Sequence, residues 1–193
     1  MRLALIRHPA PAIAAGVCYG ASDLLVEEPV LAACIAPLSL ALEKMASDAP
    51  LYSSPQQRAQ VLAQRLALAR KVSLIEDERL REMDFGRWEM AAWEQIPRSE
   101  IDAWAADVLH YAPGGAETVL QMTQRVLAFL QQLLRVDGGG EAIVVCHAGT
   151  IRILKAWQPT LSVEQIALLA AQDVEKIAYG AVVWKELPTF IAG

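Results

Sequence analysis

"IVVCHAGTIR", residues 143–152, is the stretch from which the rest of the chain can be read. An apolar run breaks into a glycine turn and continues as a helix. A buried strand is therefore predicted over 141–147, with a helix starting near Gly149 or Thr150. Two candidates for chemistry sit at the break. Cys146 and Arg152 stand at C-x5-R spacing, as in a phosphate-binding loop with a cysteine nucleophile, and His147 stands at the same strand end. Side chains alternate across a strand, so the two residues point opposite ways. If His147 faces the crevice beyond the strand, Cys146 faces the packed layer, where a free cysteine behaves as a small hydrophobe.

Working outward, "RLALIR" (2–7), "PLYSS" (50–54), "KVSLIE" (71–76) and "IAYGAVVWKEL" (177–187) are further strand candidates. Helices are expected between them. One runs from Glu27, Glu28 and Pro29 to about Met45, disturbed at Pro37. A second follows Ser54 as N-cap and Pro55 as first residue, with Val61, Leu62, Leu66 and Ala69 on one face. Residues 77–87 read as a charged loop and 88–108 as two short helices split by Pro97. "YAPGG" (111–115) reads as a turn. A long helix spans about Glu117 to Arg135, stopped by "DGGG" (137–140), and a last one lies near 162–170. Strands alternating with helices predict an α/β fold, a three-layer α/β/α sandwich on a mostly parallel central sheet. The whole of 1–193 is expected to form one domain, with a small helical cap inserted at about 77–116.

The composition narrows the function. Of 193 residues, 54% are hydrophobic, enough for a sizeable core, and the formal charge is −5 with no basic run. Nucleic acid is therefore not the expected partner. No apolar stretch is long enough to span a bilayer, so no membrane partner is expected either. Three scattered cysteines argue against a disulfide framework or a zinc site, and a cytoplasmic protein is expected.

Ligands of such sheets bind beyond the C-terminal strand ends. That rule selects Arg7 and His8 after the first strand and His147 after the late one, two of only three histidines in the chain. If these strands are neighbours, the imidazoles share a crevice. Arg58, one turn into its helix, is a cation near a positive helix end, which an anionic ligand would explain. Glu82, Asp84 and Glu89 crowd the loop after the third strand. Such a set suits phosphoryl transfer without a metal or other cofactor. An imidazole attacks phosphorus, arginines bind the equatorial oxygens, and a carboxylic acid protonates the leaving oxygen.

"LALIRHP", "YSSPQQRAQ", "LREMDFGRWE", "PGGAET" and "VVCHAGTIR" occur in the order and spacing of the histidine phosphatase superfamily. The chain resembles its branch with phosphoglycerate mutases and is most similar to α-ribazole phosphatase-like members. The resemblance implies that His8 is the nucleophile, that Arg7 and Arg58 hold the phosphoryl group, and that His147 is the second pocket histidine. It makes Glu82 the general acid, with Asp84 a poorer match, and Arg152 a residue that reaches the substrate or pairs locally. It implies no cofactor and a small phosphorylated substrate, with α-ribazole 5′-phosphate as the specific candidate, handled by a monomer or homodimer. Two departures stand out. Pro9 replaces the usual glycine after the nucleophile, and Ala14 stands where an asparagine is common. They keep open a non-catalytic pocket for a phosphorylated ligand. A mutase-type phosphotransferase also remains open, although the short chain favours hydrolysis. Trp88, Trp93 and Trp104 are read either as a stacking surface for an aromatic base or as the core of the cap.

Overall fold

Successive residues of two central strands belong to different cores. Leu3 and Leu5 of β1 (Arg2–Arg7) pack with Ala142, Val144 and Cys146 of β4 (Glu141–Cys146) in one cluster. Ala4 and Ile6 pack with Ile143 and Val145 in another. This period-two division is what a sheet buried on both faces requires. The first cluster is completed by α4 (Val119–Val136), α5 (Ala148–Ala156) and α6 (Val163–Gln172). The second is completed by α1 (Glu28–Leu42) and α2 (Gln57–Arg70). These are the three predicted layers. They are seen in a computed structural model that describes residues 1–136 and 140–188. Of the stretch "DGGG" (137–140), read as the stop of the long helix, residues 137–139 lie outside the described residues.

The remaining strands are β2 (Leu51–Ser53), β3 (Leu74–Glu76) and β5 (Val182–Glu186). The sheet order is β3-β2-β4-β1-β5, parallel except for β5, which runs antiparallel to β1. β1 lies beside β4 with Arg7 opposite Cys146, so the chain leaves the sheet at His8 and His147 side by side. Among the described residues, no helix is long and apolar enough to cross a membrane.

Several boundaries differ from the sequence reading, each for a local reason. Ser54 is not the N-cap of α2. Its N–H bonds Val145 O at 3.0 Å, which keeps it in the sheet, and the cap moves to Gln56. Lys71 takes a left-handed conformation (φ 58°) to end α2, so β3 begins only at Leu74. α1 runs through Pro37 without breaking. Residues 88–96 do not form a helix. Short 3-10 turns occupy 86–88 and 93–95, and the first full helix is α3 (Arg98–Ala106). Met90 at φ 64° and the backbone bonds Cys18 N–H to Ala91 O and Met90 N–H to Cys18 O tie this stretch to the loop after β1 instead. β5 is shorter than the predicted 177–187, because residues 177–181 turn back over the sheet end.

The segment that follows β3 carries its own small cluster. Trp88, Cys18 and Ile96 are its buried members, with Phe85, Ile101 and Trp104 packed against them. Gly114 (φ 66°) lets the 113–115 turn lie against the backbone of Phe85, where a Cβ would collide.

Candidate active site

The ends of β1, β4 and β2 bring His8, His147 and Ser54 together. The two imidazole centroids are 5.0 Å apart, with His8 N–H bonded to Cys146 O at 3.0 Å. His147 Nε2 lies 2.8 Å from Ser54 Oγ on its other side. Both rings are buried, at 2% and 0% exposure. Thus the sheet topology sets the two imidazoles against each other at the strand ends.

The tautomer of His8 follows from its partner. Nδ1 lies 2.6 Å from Pro9 O. A carbonyl only accepts, so Nδ1 carries the proton and Nε2 keeps its lone pair. Pro9, which departs from the usual glycine, still provides this carbonyl. Burial, then the charge of Arg58, lower the His8 pKa to about 3 against the raising effect of the Pro9 bond; Arg7 lowers it further. His147 is lowered well below the ordinary value by burial, then Arg58, His8, Arg125 and Arg7. Both rings are therefore neutral at physiological pH. Ser54 Oγ accepts Gln56 N–H at 3.3 Å, so its hydroxyl proton is available to His147 Nε2. The His147 ring proton then rests on Nδ1, which is buried and has no partner among the described residues.

The two expected arginines are held by carbonyls rather than by acids. Arg58, fully buried, donates to Ser22 O (2.7 Å) and Gly20 O (2.6 Å). Arg7 donates to Ile177 O (2.5 Å) with its guanidinium 3.8 Å from the centroid of the Tyr179 ring. Each has a buried Nε without a partner among the described residues. His147 Nδ1 is a third such buried atom, and the charges of Arg58 and Arg7 both act on the His8 ring.

The three carboxylates of the 82–89 loop part company. Glu82 enters the cavity. Its Oε2 accepts Gly149 N–H (3.1 Å) at the start of α5, and a Cβ on Gly149 would collide with that carboxylate. Arg125, paired with Glu117 (2.6 Å), fixes the approach by donating to the carbonyls of Arg79, Arg81 and Glu82. Asp84 accepts Gly86 N–H (2.8 Å) and shapes a turn. Glu89 receives the N–H groups of Gly20, Ala21, Ser22 and Phe85 and the Ser22 hydroxyl. Burial alone would raise its pKa, but these bonds prevail and lower it.

A cavity of about 710 Å³ opens beside His8, and its wall includes Arg7, His8, Glu82 and Arg152 but not Arg58 or His147. Arg152 donates to Glu175 O (3.2 Å) and is part of the cavity wall, so it both pairs locally and faces the cavity. Ala14 is exposed and outside that wall. Cys146 is buried in the core with its thiol pKa pushed far up by burial. Sequence reasoning named Glu89 without its anchoring role and missed Gln56 and the Tyr19–Tyr179 pair (hydroxyls 2.7 Å apart), of which Tyr179 lies tilted against His8 with ring centroids 5.5 Å apart. Gln56 ties the halves by donating to Gly20 O and accepting Glu82 N–H.

A family model described as the histidine phosphatase superfamily (branch 1) matches residues 3–177. A phosphoserine phosphatase 1 from Hydrogenobacter thermophilus is 24% identical over 107 residues, 54% of this chain and 51% of that protein. The chain spans about half the length of the curated relatives it matches. Among solved structures, a mycobacterial glucosyl-3-phosphoglycerate phosphatase superposes with a TM-score of 0.79 at 23% identity, covering 95% of this chain and 88% of that one. An α-ribazole phosphatase from Shigella flexneri gives 0.78 at 23% identity, covering 95% and 89%. At such identities these two likenesses speak for the fold.

Proposed function

The chain belongs to branch 1 of the histidine phosphatase superfamily, and from that premise we propose that it hydrolyses small phosphate monoesters through a phosphohistidine on His8, without a metal ion. The observation that carries this reading is the His8 ring: its Nδ1–H donates to Pro9 O, and burial with the charges of Arg58 and Arg7 leaves Nε2 unprotonated. In the first step Nε2 attacks phosphorus. The ester P–O bond breaks, its electron pair leaves with the alcohol oxygen, and that oxygen takes a proton from Glu82. In the second step water gives a proton to the Glu82 carboxylate as its oxygen attacks phosphorus. The N–P bond breaks, its pair returns to Nε2, and inorganic phosphate leaves. Arg7, Arg58 and the Nδ1–H of His147 donate to the phosphoryl oxygens, where negative charge gathers in the transition state. Arg152 contacts the rest of the substrate.

In its finer form the proposal names α-ribazole 5′-phosphate as substrate, with a place in cobalamin assembly and a cytoplasmic location for a monomer or homodimer. Its support is the fold shared with an α-ribazole phosphatase and the "CYGASD" loop (18–23) that cradles Arg58.

Rapid-quench labelling tests the reaction. Wild type forms an acid-labile, alkali-stable phosphoenzyme. Folded His8→Ala forms none and loses turnover by on the order of 10⁴-fold or more. Label or full activity retained in His8→Ala would overturn the assignment. Absence of hydrolysis of both p-nitrophenyl phosphate and α-ribazole 5′-phosphate across roughly pH 4 to 9 would turn the reading to a phospholigand-binding pocket.

A further inference from the structure

Most of the cavity is not occupied by the groups that handle phosphate. Its charged wall residues are Arg7, Glu82 and Arg152, with the neutral His8 beside them. Beyond them the wall is apolar and rich in rings: Phe85, Trp93, Ile101, Trp104, Val119 and Met122. The rings brace one another edge to face, Phe85 to Trp93 at 6.2 Å and Phe85 to Trp104 at 6.0 Å, with buried Trp88 behind both tryptophans at 6.2 and 5.8 Å. The sequence left two roles open for the tryptophans, and the structure divides them. Trp88 (2% exposed) is the core of the cap, while Trp93 (40% exposed) and Trp104 turn surface to the cavity. Trp104 Nε1 is buried and has no acceptor among the described residues.

An apolar chamber of this size in contact with water is unfavourable until something covers it. The chamber is continuous with His8, so its natural occupant is the alcohol half of a phosphate ester held at Nε2. We propose that this alcohol half carries a bulky, apolar, ring-bearing group with few charges. The enzyme would then prefer aryl and arylalkyl phosphate monoesters to esters of short, charged alcohols. A carboxylate close to the ester could meet Arg152, but a small charged alcohol would leave the aromatic wall uncovered. This inference rests on the hydrolase reading above and adds the class of leaving group.

Two matched pairs test it on the wild-type protein. Phenyl and 1-naphthyl phosphate have leaving groups of similar acidity, so their difference in kcat/KM reports burial of the second ring rather than bond-breaking chemistry. The expected gain for naphthyl is on the order of tenfold. Among alkyl esters, 2-phenylethyl phosphate is expected to exceed O-phosphoserine and 3-phosphoglycerate by about tenfold or more. Ile101→Asp, which puts a charge in the wall, should pull the naphthyl-to-phenyl ratio down towards unity. Turnover with no ring preference, a preference for the carboxylate-bearing esters, or an unchanged ratio in the folded variant would each overturn this inference and leave the hydrolase reading standing. No turnover of any ester, together with no phosphoenzyme, would overturn both.

Discussion

On the sheet side of the cavity, the two histidines leave adjacent parallel strands, Arg58 leaves the first turn of α2, and their partners are backbone carbonyls and one serine hydroxyl. His8 is fixed by Pro9 O, His147 abuts Ser54, and Arg58 is fixed by Gly20 O and Ser22 O. On the cap side, 3-10 turns and α3 present rings that pack on one another and stay half open to solvent. His147 has no exposed surface, whereas Trp93 keeps 40%. A strand end locks an imidazole because each ladder bond fixes the backbone that carries it. A cap of turns tolerates exchange of side chains, because little but its own small core depends on them. The proposed division follows: the sheet side sets the reaction and the cap side sets the alcohol.

Glu82 is the sharpest way to break that division, because its backbone comes from the loop leading into the cap while its carboxylate docks on Gly149 at the start of α5. Glu82→Gln keeps an acceptor for the Gly149 N–H and removes the transferable proton. Turnover of alkyl phosphates should fall about 10²–10³-fold, and turnover of p-nitrophenyl phosphate, whose leaving group needs no acid, by less than about tenfold. Steady-state kinetics on both ester types provide the check, and equal losses would mean that the proton comes from another group.

The next effect tests whether the two sides are independent. Glu89 belongs to the cap side in sequence, yet it gathers the N–H groups of 20–22, the same loop whose carbonyls hold Arg58. Glu89→Ala leaves those donors unpaired and should cost about 2–4 kcal/mol of stability. It should also raise KM for every phosphate ester alike, since Arg58 loses its support. Urea denaturation and KM values for two dissimilar esters measure both. Unchanged stability, or a KM effect confined to aryl esters, would place Glu89 with the substrate-selecting cap.

These two carboxylates also mark how far the sequence could be read. The strands and both histidines were legible because a short apolar run ending in a polar residue is a local pattern, and the strand-end rule needs only that pattern. Glu82 was legible through its motif. The anchoring role of Glu89, named only as one of three loop carboxylates, was not, because its partner Gly20 lies 69 residues away and nothing near Glu89 signals that loop. The same long-range pairing defeated the helix expected over 88–96. The Cys18–Met90 and Cys18–Ala91 backbone bonds hold it open. Tyr179 escaped notice because it lies in a stretch read as strand. Gly180 N–H, bonded to Arg7 O at 3.1 Å, instead turns that stretch back over the site.

Acid should act mainly on the sheet side. The native His8 ring takes up its proton only near pH 3 because of burial and Arg58, whereas an unfolded histidine does so near its ordinary value of 6.5. Between these values the unfolded chain binds more protons. The stability tied to a neutral His8 is therefore complete above about pH 6.5 and is lost as pH falls towards the folded value. By pH 5 the loss from this ring alone should be about 2 kcal/mol, and His147, shifted the same way, adds to it. Urea midpoints at pH 7.5 and 5 measure the drop, which should be smaller in His8→Asn. An equal drop in that variant would locate the acid sensitivity elsewhere.

The smallest effect is expected at Cys146, one residue from His147 and six before Arg152, at the spacing of a cysteine-nucleophile loop. Register places Cys146 opposite Arg7 with its side chain in the layer of α4 and α5, among Leu3, Leu5 and Val144. Burial holds its thiol protonated, which removes the thiolate that such chemistry needs. Arg152 lies on the cavity wall, where the thiol has no surface. Cys146→Ala should therefore cost about 1 kcal/mol of core packing and leave kcat/KM per folded molecule and the acid-labile label unchanged. Loss of either with the fold intact would move the nucleophile from the end of β1 to the end of β4, and the sheet side would need a different mechanism.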